Sequence, residues 1–182
     1  MARQRTRSKV HEAVLSLACE SRVGTLTMEG VAARAGVSKQ TLYRTWPSTG
    51  AILFDALLAR SADEGGDVVV PDSGNLATDL EGLAVATIAE LTDPTQEPLL
   101  RAVTAEIQSN EGLAAQFREM LLAPQLHGIS DRLRRGGVTD PDGIAELFVA
   151  PIFHRWLLRS RPFDAAWVAT HVARVLRASS VS

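Results

Sequence analysis

Between Thr27 and Leu53 the chain reads TMEGVAARAGVSKQTLYRTWPSTGAIL, and this stretch leaves little choice of local structure. Thr27 is a good N-cap, because its hydroxyl can accept from the free amides of a helix's first turn, and Val31, Ala32 and Ala35 then recur at helical spacing. Gly36 supplies the backbone freedom needed to end that helix in a tight turn. Ser38 can cap a second short helix, on which Leu42 and Trp46 point inward while Lys39, Gln40, Tyr43 and Arg44 keep polar tips outward. Pro47 stops that helix, and Ser48 can cap the next. Two helices joined by a turn of three or four residues place the second where its side chains can enter a DNA major groove. An ordinary helical hairpin uses the same parts singly. Cap, turn, second cap and stop in this order favour the helix-turn-helix.

The string V-A-x-x-A-G-V-S-x-x-T-L-Y-x-x-W, running here from Val31 to Trp46, resembles the N-terminal DNA-binding domain of the TetR family of transcriptional regulators. The likeness covers Lys9 to about Leu57. A looser likeness extends to EGLAAQFREMLLAP and AELFVAPIFHRWLLRSRPFDAAWVATHVARVLRA, which resemble the C-terminal domain of one branch of that family. The resemblance implies that the last two long helices of each subunit pair into a dimeric four-helix bundle and that the other helices enclose a ligand pocket.

Charge agrees with the motif. The chain's net charge of −2 hides an asymmetry: residues 1–60 carry nine Lys/Arg against four Asp/Glu, whereas residues 61–182 carry ten against seventeen. The basic part holds the helix-turn-helix, so its expected partner is a polyanion, double-stranded DNA, with the acidic remainder held away by repulsion. Apolar residues make up 46% with few aromatics, and no Val/Ile/Thr runs alternate, which favours an all-α fold. Cys19 is the only cysteine, so it is expected as a packed thiol outside any intrachain disulfide. No segment has the roughly 18 apolar residues of a membrane span, and the basic start leads into an amphipathic helix rather than an apolar signal core. A cytoplasmic protein is expected.

The organisation expected is a DNA-binding domain over 1–57, with a basic mobile tail at 1–8, followed by an effector-binding and dimerisation domain over 58–182. Helices are predicted over 9–21, across the motif, and over 48–62. After the Gly/Pro/Asp-rich linker EGGDVVVPDSGN come helices over 76–91, 96–109, 111–135, 141–159 and 164–178. Pro124 should kink or split the third of these segments, 111–135, because it lacks an amide donor and clashes with the preceding turn.

In a helix-turn-helix, exposed residues of the second helix face base edges and hydroxyls at helix starts face phosphates. Lys39 can donate to guanine O6/N7 and Gln40 can bond adenine in bidentate fashion. Thr41 and Tyr43 are expected on phosphate or a thymine methyl, Arg44 on either base or backbone, and Thr27 and Ser38 on phosphates as well as in their caps. One departure from the family pattern stands out. The family usually places a phosphate-holding Lys six residues after the reading-helix Tyr; here that position is Thr49, followed by Gly50. Arg44, or Arg3, Arg5 and Arg7 lying along the backbone or minor groove, could compensate. Gly30 is a second oddity, costing its helix roughly 1 kcal/mol relative to Ala.

One such motif reads only a few base pairs, so useful affinity implies a homodimer on a pseudo-palindrome. On the last helix Val168, Val172 and Val175 lie on one side and Trp167 and His171 on another, which suggests burial against both core and partner. Leu147, Pro151, His154 and Leu158 on the preceding helix complete the expected interface. Ile88, Val103, Ile107, Phe117, Leu121, Phe148 and Trp156 offer walls for a small apolar or amphipathic effector, with His127 and Gln108 as polar partners, although a plain core has the same composition. An enzyme is not expected. The histidines His11, His127, His154 and His171 are scattered without metal-ligand spacing, and no nucleophile or phosphate-loop motif occurs, so no cofactor or metal is implied. A DNA-coating protein without an effector is the alternative, and would show a filled core and weakly sequence-dependent binding.

Overall fold

Helix follows helix in the computed structural model, which describes residues 2–20, 26–63 and 70–179, with side chains throughout except at positions 2, 3, 19 and 61–63. The elements are α1 (Ala2–Glu20), α2 (Met28–Ala35), α3 (Lys39–Thr45), α4 (Thr49–Asp63), α5 (Leu76–Thr92), α6 (Glu97–Ile107), α7 (Glu111–Phe117), a π-helical turn (Arg118–Leu122), α8 (Ala123–Arg135), α9 (Pro141–Leu158) and α10 (Ala165–Ser179). The described residues include no strand, as the composition led one to expect. None of the described helices is long and apolar enough to cross a membrane. The side chains of Arg3 and Cys19, and residues 64–69 of the expected linker, lie outside the described residues.

Packing divides the chain into two compact units, and the division is not a single cut. One takes Met1–Gly66 with Pro94–Arg118, the other Asp67–Asp93 with Glu119–Ser182. The first unit is thus discontinuous in sequence, with Pro94–Arg118 grouped with the helices that precede the linker. In the first unit α6 packs on both α1 and α4, and α7 on α4 and α6. Amphipathic spacing shows which face a helix buries but not against which neighbour, so this assignment was not readable from the apolar pattern.

The core of the first unit is built from Val10 and Val14 of α1, Val31 and Ala32 of α2, Leu42 of α3, Ile52, Leu53 and Leu57 of α4, Leu99 and Val103 of α6, and Leu113 of α7, all buried. Burying a Leu or Val side chain of this kind contributes about 1.5–3 kcal/mol. The expected mobile tail is instead the start of α1, which is helical from Ala2. Part of the reason is tertiary, since Arg7 is paired with Asp55 of α4.

In the second unit Leu80, Leu83 and Leu91 of α5, Ile129 and Leu133 of α8, Phe148, Ile152 and Trp156 of α9, and Val168, Val172 and Val175 of α10 are buried. One ion pair lies inside it. Arg132 donates from Nε to Asp79 at 2.8 Å, and both side chains are almost wholly buried. Asp79 also accepts from the Ser73 amide, and Asp72 lies 3.4 Å from Arg132 and 3.0 Å from Arg135, so the segment before α5 is tied to α8.

The segment 111–135 stays helical throughout, but a π-helical turn over Arg118–Leu122 interrupts its α-helical bonding ahead of Pro124. The widened π-helical turn just ahead of Pro124 accommodates a residue that has no amide to donate to the preceding turn. Pro151, by contrast, lies inside α9 without ending it. Having no amide, Pro151 donates no bond to the Leu147 carbonyl one turn back.

Candidate nucleic-acid interface

The reading head is assembled by local capping. Thr27 is extended (φ −123°), and its Oγ1 accepts from the Gly30 amide at 3.1 Å. A Cβ on Gly30 would lie 3.2 Å from that oxygen, a tight approach that the cap would have to accommodate. Gly36 adopts φ +65°. Its amide donates to Ala33 and the Val37 amide to Ala32, the crossed pair of bonds that closes a helix through a left-handed residue. Ser38 then accepts from the Thr41 amide at 3.1 Å and starts α3. Ser48 caps α4 by accepting from the Ala51 amide at 3.2 Å.

Within α3, Leu42 is fully buried and Trp46, just beyond its end, nearly so, which turns Lys39, Gln40, Tyr43 and Arg44 outward together. These four form one solvent-facing polar surface, with Tyr43 51% exposed. Thr27 and Ser38 are exposed at the helix starts. Thr41 is half-buried, and its hydroxyl lies 2.8 Å from that of Ser38, so it belongs to the cap as much as to any DNA-facing surface. Thr49 is half-buried as the first residue of α4. Behind it Gly50 is buried; a Cβ there would come within 2.7 Å of Glu106 and 3.2 Å of Leu113. The glycine is needed for the close approach of α6 and α7 to α4.

Several charged partners on this unit were missed in the sequence. Lys39 lies 3.1 Å from Glu29 of α2, and the hydrogen bond holds the Glu29 carboxyl below its usual range. Arg34 of α2 donates to Glu20 of α1 at 2.7 and 2.9 Å, and the Ser16 hydroxyl donates to the same carboxylate at 2.8 Å; these bonds pull the Glu20 carboxyl down to about 2. Asp55 is the most connected. Burial alone would push its carboxyl up, but hydrogen bonds from Arg7, His11 and Trp46 outweigh that and hold it below the usual range. A lone acid in the apolar run AILFDALL was the available signal for Asp55. The possible compensating cations therefore differ in state. Arg7 is engaged, whereas Arg5 and Arg44 are exposed.

The other expected sites fall as follows. Val103, Ile107 and Phe117 belong to the first unit, and Ile88, Leu121, Phe148 and Trp156 to the second. Val103, Phe148 and Trp156 are buried core, the remaining four half-buried, and His127 and Gln108 exposed. Of the expected interface, Val168, His171, Val172 and Val175 are buried within their own chain, which removes them from any surface. His171 hydrogen-bonds the Phe148 carbonyl at 2.8 Å and stacks on Trp167, which is half-buried and carries Arg155 over its ring at 4.4 Å. Burial pushes the His171 pKa down, and Arg174 and Arg155 add to that against the opposing Phe148 bond. Leu147, His154 and Leu158 are exposed and Pro151 half-buried. Among the described residues no group of His, Cys, Asp and Glu is arranged to hold a metal.

Two family models match the chain: "Bacterial regulatory proteins, tetR family" over residues 23–56, and "Tetracyclin repressor-like, C-terminal domain" over residues 70–175. The chain belongs to the TetR family. This TetR-family protein is 31% identical over 187 residues to the DNA-binding transcriptional repressor TetR of Mycobacteroides abscessus, across 97% of this chain and 95% of that one. It is 26% identical over 169 residues to the uncharacterized HTH-type transcriptional regulator YdeS of Bacillus subtilis, across 87% and 83%. Its fold matches the crystal structure of the TetR family transcription regulator SCO0332 with a TM-score of 0.67 at 28% identity, covering 94% and 97% of the two chains. The flavonoid-responsive regulator FrrA shares the fold at a TM-score of 0.67 and 20% identity, covering 97% and 95%. As a TetR-family member the protein is a DNA-binding transcriptional regulator and not an enzyme.

Proposed function

We propose that this TetR-family regulator is a homodimeric, sequence-specific repressor that acts in the cytoplasm and is released from a pseudo-palindromic operator by a small apolar or amphipathic ligand. The observation that carries the reading is the shared outward face of Lys39, Gln40, Tyr43 and Arg44, set on a helix whose start, end and inner side are all fixed by caps and core. Thr27, Ser38 and Thr49 border it at three helix starts, where amide donors favour phosphate. Thr41 supports the Ser38 cap.

Dimerisation is supported by Leu147, Pro151, His154 and Leu158, which recur at helical spacing along α9, with Leu147 and Leu158 45% and 62% exposed. Exposed leucines aligned on one helix face are the pattern of a surface covered by a partner. Repression agrees with the name of the Mycobacteroides abscessus relative, and ligand response with that of FrrA. Ile88 and Leu121 are residues of the second unit's expected effector walls with surface left for a ligand. Release requires only that the effector bind a DNA-incompetent state more tightly than the DNA-binding one.

The test is selection of bound duplexes from a random pool at near-physiological salt, followed by sequencing. A pseudo-palindromic consensus is expected. Recovery of no consensus by a folded dimer would overturn the reading in favour of non-specific DNA coating.

A further inference from the structure

We propose that Asp55 sets the ratio of specific to non-specific DNA binding, by anchoring the end of the reading helix through Trp46 and by holding Arg7 away from phosphates. The inference rests on the sequence-specific reading above. Three donors from two other helical regions meet on one carboxylate oxygen: Arg7 Nε at 2.9 Å, His11 Nε2 at 2.9 Å and Trp46 Nε1 at 3.0 Å all lie on Oδ2, while a second Arg7 nitrogen bonds Oδ1. Trp46 is the residue that ends α3, and its own amide donates to the Leu42 carbonyl. The start of α3 is fixed by Gly36 and Ser38, so the Trp46–Asp55 bond is the polar restraint on its other end.

Base-edge contacts depend on side-chain placement to a few tenths of an ångström, whereas phosphate contacts tolerate displacement. Loosening the end of α3 therefore weakens operator binding more than binding to arbitrary DNA. Arg7 acts in the opposite sense. It shares an acceptor atom with Trp46, so its guanidinium lies within a few ångströms of the reading helix's end, and its side chain is 51% exposed. Paired with Asp55 it adds no net charge there. Released, it becomes a cation next to a DNA-reading surface and adds sequence-independent affinity, steepening the salt dependence by about one phosphate contact. A single carboxylate thus favours specific binding on both counts.

The experiment measures affinity of the full chain for the duplex recovered by selection and for its scrambled counterpart, over a salt series, in wild type, Asp55→Asn and Trp46→Phe. Asp55→Asn should lower the operator-to-scrambled ratio about tenfold or more and steepen the salt slope by about one. Trp46→Phe, which removes the indole donor and leaves Arg7 paired, should lower the ratio without changing the slope. An unchanged ratio in both variants, or equal losses on both duplexes, would overturn the proposal and reduce Asp55 to a structural tie. If Asp55→Asn does not fold, Trp46→Phe decides the anchoring role and Arg7→Gln, expected to leave the wild-type slope unaltered, decides the other; a shallower slope in Arg7→Gln would show that Arg7 already binds phosphate. A wild-type ratio near one sinks the sequence-specific reading itself, whereas a high wild-type ratio unmoved by either variant sinks only the role of Asp55.

Discussion

The indole N–H of Trp46 donates to Oδ2 of Asp55 across 3.0 Å, joining the residue that ends the reading helix to the middle of α4. The same oxygen accepts from Arg7 and His11, so α1, α3 and α4 share one polar junction beside the hydrophobic core of the first unit. Elsewhere in the chain the buried Asp79–Arg132 pair plays a comparable part, tying α5 to α8.

Both carboxylates make stability sensitive to acid. Hydrogen bonds from Ser73, opposed by burial and reinforced by Arg132, hold the Asp79 carboxyl below its ordinary 3.8, and Asp55 is likewise depressed. A carboxyl with a lowered folded-state pKa contributes fully above the unfolded value and loses that contribution as pH falls through the folded one. Melting temperature should hold from neutrality to about pH 5 and fall below about pH 4. Asp79→Asn should melt lower at neutral pH and show a shallower acid decline in circular dichroism melts. An acid decline as steep as wild type would exclude Asp79 from it.

Lys39→Ala and Gln40→Ala should each cost about 1–3 kcal/mol of operator affinity and relax preference at particular bases. Equal loss on scrambled DNA would assign them to the backbone instead. Glu29→Gln frees Lys39 from its 3.1 Å ion pair and should raise affinity for scrambled DNA, read by fluorescence anisotropy.

Thr49→Lys places a cation at the first residue of α4. The salt slope should steepen by about one if Thr49 faces a phosphate, and stay fixed if it does not.

Gly50→Ala should destabilise the protein by about 1–3 kcal/mol, because the added methyl meets Glu106 and Leu113. Adding Glu106→Ala should recover only part of the loss, since the 3.2 Å approach to buried Leu113 remains. Full recovery in denaturant unfolding would show that Leu113 yields freely.

Leu158→Glu and Leu147→Glu should give folded monomers by analytical ultracentrifugation, with weakened binding to a palindromic duplex. Val172→Glu, at a position 1% exposed within its own chain, should instead unfold the protein. A dimer that survives both leucine changes would move the interface off this face of α9.

Thr27, Gly36, Ser38 and Pro47 were legible in the sequence because each acts on backbone groups only a few residues away, and the order of such local signals names the motif that α2 and α3 form. That Pro124 disturbs its helix was legible for the same reason, since a missing amide acts within one helical turn. The valines of α10 were legible as apolar, but not in their direction. Period alone cannot tell a face that meets α9 from one that meets a second copy, and the fold turns Val168, Val172 and Val175 inward.

What the sequence determined by itself was thus the all-α class, the helix-turn-helix and the outward set Lys39, Gln40, Tyr43 and Arg44, all consequences of short-range capping and helical period. Only tertiary structure decided that α6 and α7 pack with the N-terminal helices, that residues 2–8 are helical rather than a loose tail, and that Arg7 is held by Asp55. Those outcomes depend on which distant groups meet, Arg7 and Asp55 being 48 residues apart, and no local pattern encodes that encounter.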